Sequence, residues 1–154
     1  MFAAVNDTPY NLVLFLHVLT AFIAMSPLFT LAVLARLSRH AGWTDRPAIF
    51  AMMAQRSMAI YGSSLIISGL AGFGLAGLSD KVYSMSQFWL ASAFVLWLAM
   101  NGALHALILP SQRVLATSGE PNDAAERKLE LGGVLMTGLF LAMLYLMVFQ
   151  PGAG

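Results

Sequence analysis

The chain has 154 residues, of which 59% are hydrophobic and only 10% charged, with eight Lys and Arg against seven Asp and Glu. That length suits one domain, and a soluble domain carries ~25% charged residues, so most of the surface is matched to lipid. A formal net charge of +1 gives no electrostatic case for nucleic acid. Cysteine is absent, which removes disulfides, thiolate metal ligands and cysteine nucleophiles.

Met1 to Asp7 holds no basic residue ahead of the first apolar run. A secretory signal would need one, so the run reads as a retained span. A membrane helix needs ~20 mostly apolar residues. Four stretches qualify, about 10–35, 58–78, 88–109 and 131–149, and none contains Asp, Glu, Lys or Arg. Backbone groups in lipid must be satisfied within the segment, so each run is expected to be a helix. The predicted fold is all-α, a four-helix transmembrane bundle forming a single domain over 1–154.

In the first span Pro27 frees the carbonyl of Ile23, which predicts a kink. Pro47 suits the first turn of the second helix, with Thr44 or Asp45 as its cap, so that helix should outrun its apolar part. Within it Ser64, Ser68, Gly72 and Ala76 recur every fourth residue, a stripe of small side chains on one face. Gly62, Gly69, Gly74 and Gly77 add further thin places. Close approach drives helix association in lipid, so this helix is expected at the bundle centre or against a partner. In the fourth helix Asp123 and Glu126 resemble a capping box, and Pro151-Gly152 is the stop signal.

Basic residues set the expected topology. Arg36, Arg39, Arg46 and Arg56 lie between the first two spans, Arg113, Arg127 and Lys128 between the last two, and Lys81 alone in the middle connection. The positive-inside rule then places both termini outside, in the periplasm, with the basic connections in the cytoplasm. Tyr10 and Trp89 become aromatic anchors at the outer interface.

Ionisable residues within spans are functional candidates, and two histidines qualify, His17 and His105. His40 falls in the first basic connection. Bis-histidine haem b ligation needs both rings at one depth. His17 lies ~10 Å and His105 ~25 Å from the outer ends of their spans at 1.5 Å per residue, which disfavours a shared iron. Structural roles are expected instead. His105 follows Asn101 by four residues, so a polar cluster of Tyr61, Asn101 and His105, joined by Ser57 and Ser64, is predicted in the cytoplasmic half. His17 is expected to pair with Ser68 or Tyr145.

Ten methionines raise Cu(I), which favours thioethers. They are scattered, however, and Met143 and Met147 share a face without an evident partner, so core filling is the expectation and no metal site is predicted. No span carries a carboxylate for a proton relay, and no base accompanies a serine nucleophile, so the chain is not expected to be an enzyme.

The segment Asn11 to Ala21, with His17 at its centre, is similar to the opening of a bacterial family of predicted integral membrane proteins, domain of unknown function 2269. Phe88 to Ser92 and Leu109 to Arg113 resemble that family's third helix, and Leu146 to Pro151 its last, where Gln150 stands at an expected Lys. The resemblance covers nearly the whole chain and implies fold and topology without an activity. The first-helix His also resembles copper-resistance and haem-pathway proteins with four-helix cores, whose fuller His/Trp patterns this chain lacks.

The sequence therefore reads as a non-catalytic accessory subunit of a larger complex, respiratory or photosynthetic, in the bacterial inner membrane. Its partners would be lipids and other membrane subunits or further copies of itself. One alternative is a haem b or metal-binding protein using His17 or His105. Another is a small-solute permease or sensor with its site among Tyr61, Ser64, Ser68 and His105.

Overall fold

A computed structural model describes residues 7–40, 46–80, 82–118 and 122–152, with the side chains of 28–40 and of Arg46 outside the description. The described residues are all-helical apart from turns. Four rods follow in chain order: α1 (Thr8–His40), α2 (46–78), α3 (88–117) and α4 (Asp123–Phe149). All four are long and apolar enough to cross a membrane.

Each rod outruns its apolar run, mainly at the end bearing the basic residues. Hydropathy marks where lipid must stop, whereas backbone hydrogen bonding continues the helix beyond that point. Pro47 sits in the first turn of α2, as its missing N–H allows. The expected caps Thr44 and Asp45 lie outside the described residues.

Pro27 does not end α1. The carbonyl of Ile23, which loses its usual donor to Pro27, accepts the Ser26 hydroxyl at 2.9 Å. The neighbouring serine thus meets the group that the proline abandons.

Two π-helical turns interrupt α2 at Ser57–Gly62 and α3 at Leu104–Ile108. The second has a local cause. Pro110 has no N–H and its ring crowds the carbonyl four residues back, which belongs to Ala106 inside the widened turn. Widening accommodates the ring, and α3 runs on to Thr117 instead of ending near Leu109.

Asn122, one residue before the expected capping box, caps α4, its Oδ1 accepting the Ala125 N–H at 3.0 Å. Asp123 and Glu126 occupy the first turn, where negative charge suits the helix dipole. At the other end Gln150 turns into the left-handed region at φ 43° and its N–H reaches Leu146, ahead of Pro151.

The rods share contacts unequally. α1 lies along residues 63–78 of α2, while residues 46–56 of α2 lie along 109–117 of α3, and α4 follows 88–103 of α3. The main core therefore sits toward the basic end, built from Met25, Phe50, Leu65, Met100, Leu104, Ile108, Leu129 and Met136. A smaller cluster of Trp89, Ala93 and Leu146 closes the terminal end. Tyr10 and Trp89 belong to the interior and are not lipid-facing anchors, at 6% and 4% exposed. Tyr83 meets Trp89 edge-on at 5.5 Å. Aromatic pairing inside the bundle won over the interface.

Candidate functional site

The small-residue stripe of α2 faces α1. Ser64 and Ser68 are buried, and Gly72 brings the backbone within reach of the His17 ring, where an added Cβ would stand 3.3 Å from Cε1. His17 Nδ1 lies 2.7 Å from the Ser68 carbonyl. A carbonyl only accepts, so Nδ1 carries the proton and Nε2 keeps its lone pair. In return the Ser68 hydroxyl donates to the His17 carbonyl at 3.2 Å. The two helices are latched in both directions. His17 is thus joined to Ser68 and not to Tyr145, which is 56% exposed on α4 and stacks with Phe149. Ala76 lies farther along the stripe and is half-buried.

A second close approach joins α2 to α3. The indole of Trp97 lies against Gly69, where an added Cβ would clash with Cε2, Nε1 and Cζ2. Its Nε1 donates to the Leu65 carbonyl at 2.9 Å. Phe73 and Phe94 pack edge-on at 5.4 Å, and each ring lies 6.1 Å from Trp97. Gly69, one of the thin places beside the four-residue stripe, is thus the seat of this contact.

The polar cluster expected of Tyr61, Asn101 and His105 does not assemble. Asn101 Nδ2 donates to the Trp97 carbonyl of its own helix, and His105 Nδ1 donates to the Asn101 carbonyl, both at 2.9 Å. Each side chain satisfies itself four residues back, so neither crosses to α2. His105 is exposed with Nε2 directed away from its own carbonyl partner, beside exposed Ala99, Gly102 and Ala106. A Cβ on Gly102 would meet nothing within 4 Å. This outward face of α3 sets small side chains and one imidazole beside the exposed Val95 and Leu98.

Tyr61 turns instead to the interior. With Ala24, Pro27, Ser57, Leu65, Leu104, Ile108 and Met136 it lines a cavity of about 20 Å³ to which all four helices contribute. One turn beyond Ile108, Gln112 is wholly buried, and neither atom of its carboxamide has a hydrogen-bond partner. The indole N–H of Trp89 is likewise buried without one. Gln112 carries no sequence signal, since its neighbours Ser111 and Arg113 make the segment look polar and solvated.

The two intramembrane candidates therefore occupy separate places, His17 between α1 and α2 and His105 on the outer surface of α3. No family model matches the chain, and neither the curated proteins nor the solved structures contain one similar to it.

Proposed function

We propose that this chain is a non-catalytic subunit of a larger complex in the bacterial inner membrane, respiratory or photosynthetic, with both termini in the periplasm. The orientation rests on the basic residues gathered between the first and second and between the third and fourth helices. The observation carrying the docking role is the outward face of α3. Ala99, Gly102 and Ala106 leave its backbone open to close approach, and the His105 imidazole stands among them. Lipid gains little from either feature. A neighbouring helix gains van der Waals contact and a hydrogen bond to Nε2. The α2 stripe is already occupied by α1, so the docking surface belongs to α3.

Native affinity purification in mild detergent, with mass spectrometry of the co-purifying proteins, tests this. Specific membrane proteins should be recovered with the wild-type chain and depleted by Gly102→Leu. A chain that forms only homo-oligomers overturns the reading.

The second reading is a haem b or metal-binding protein. It is favoured by the shared arrangement of the two histidines, each with Nδ1–H held by a backbone carbonyl, at 2.7 and 2.9 Å. That fixes the tautomer in which Nε2 is a ligand, as around many metal-bound histidines. Purified protein would show a Soret band or stoichiometric metal, lost in His105→Ala or His17→Ala. A colourless, metal-free preparation from iron- and copper-replete cells removes this reading.

A further inference from the structure

Among the described residues, three of the four rods carry an irregularity, and all three irregularities meet at one cavity. Pro27 takes a backbone donor out of α1, and π-helical turns widen α2 at Ser57–Gly62 and α3 at Leu104–Ile108. Prolines and π-helical turns are where helices bend sharply. The cavity of about 20 Å³ is lined by Pro27, by Ser57 and Tyr61 of the first widened turn, and by Leu104 and Ile108 of the second. α4 runs without a break from Asp123 to Phe149. It contributes Met136 to the lining, a side chain that adapts readily to a changed neighbour. A close-packed interior resists movement, because any shift makes a clash. Unfilled volume beside three bendable points lowers that resistance at this one level.

The two sides of this level are held differently. Toward the termini, His17 and Ser68 latch α1 to α2, and Trp97 bonds the Leu65 carbonyl across α2 and α3. Phe73 and Phe94 pack around the same indole. Toward the basic end, residues 46–56 lie along 109–117, with Phe50, Leu115, Ala125 and Leu129 in the apolar core. This side also holds Gln112, wholly buried with neither carboxamide atom bonded. A buried polar group without a partner disfavours the arrangement that buries it, relative to one that admits water. We propose that this level is a hinge, about which the pair 46–56 and 109–117 swings against α4. The swing runs between the packed arrangement and an open one in which water reaches Gln112. Hinges of this kind concentrate the backbone change in a few residues and carry packed segments as rigid bodies. The hinge stands independently of the docking face on α3.

The chain has no cysteine, so introduced cysteine pairs carry nitroxide labels without background. Double electron–electron resonance on the full chain in lipid nanodiscs then tests the hinge. Met52→Cys with Ala124→Cys spans α2 and α4 at the basic end, and Leu70→Cys with Leu141→Cys spans them on the terminal side; all four residues are exposed. The basic-end pair should give two distances and the terminal-side pair one narrow distance. A single basic-end distance as narrow as the terminal-side one overturns the proposal. Gln112→Leu removes the unpaired carboxamide, and Ala24→Val extends a buried side chain into the cavity. Each should lower the population of the longer basic-end distance at least twofold, while an unchanged terminal-side distance certifies the fold. A population unchanged in both variants overturns the roles of Gln112 and the cavity, and if one variant fails to fold the other decides.

Discussion

Adding a single methyl group at Gly69 tests whether Trp97 fastens α2 to α3. Alanine there would place Cβ 2.6 Å from Trp97 Cζ2 and closer still to Cε2 and Nε1. The obstacle is a rigid ring and not the end of a flexible chain, so the indole or a helix must move. Overpacking of this kind costs ~1–3 kcal/mol. Displacing the ring also loses the Nε1–H bond to the Leu65 carbonyl, a further ~0.5–1.5 kcal/mol. The sum, about 1.5–4.5 kcal/mol, corresponds to a drop of roughly 3–18 °C in Tm for a chain of this size. Gly77→Ala is the control, because a Cβ there meets nothing within 4 Å, and a change under ~0.5 kcal/mol is expected. Thermal unfolding in detergent, followed by circular dichroism at 222 nm, reads both. Trp97→Phe removes the outer part of the clashing ring, so the Gly69→Ala/Trp97→Phe pair should be less destabilised than the summed single changes by about 1 kcal/mol or more. Gly69→Ala as stable as Gly77→Ala, or strict additivity of the pair, would refute the claim that this contact joins the helices.

Further outcomes follow from the same contacts. Gly72→Leu drives a side chain into the His17 ring and should lower Tm in detergent by several degrees more than Gly77→Leu; equal effects would place the α2 stripe against lipid. His17→Ala removes the bond from Nδ1 to the Ser68 carbonyl and Ser68→Ala removes the bond from its hydroxyl to the His17 carbonyl, so each should cost about 0.6–1.7 kcal/mol by SDS-titrated unfolding, and wild-type stability in both variants would remove the latch. Asn122→Ala loses the cap on the Ala125 N–H and should cost ~1 kcal/mol, whereas Asn122→Asp retains stability; hydrogen exchange at the start of α4 should rise in the first variant only. Ser26→Ala leaves the Ile23 carbonyl without its hydroxyl donor and should cost ~1 kcal/mol, and wild-type stability for that variant would mean the carbonyl is satisfied elsewhere.

Local sums of hydropathy were enough to locate four helices, because a charge in a span is expensive wherever it points. Pro47 in a first turn and the stop before Pro151 were legible for an equally local reason, since proline's missing N–H acts within one turn. What no local rule supplies is the direction each side faces. Leu12 and Leu65 are the same residue in comparable runs, yet one is 67% exposed and the other 4%. In a soluble helix a polar stripe would separate those faces. Where the surroundings are as apolar as the core, that contrast disappears. Tertiary packing alone therefore decided that Trp89 and Tyr10 point inward and that Ser68, of the two expected partners, receives His17. It likewise set Gly69 as the seat of Trp97 and made Asn101 and His105 bond to their own helix. Gln112 shows the limit most sharply, because a polar residue beside an arginine carries every local sign of exposure. It is buried completely in the segment 109–117, which packs against residues 46–56 and against α4.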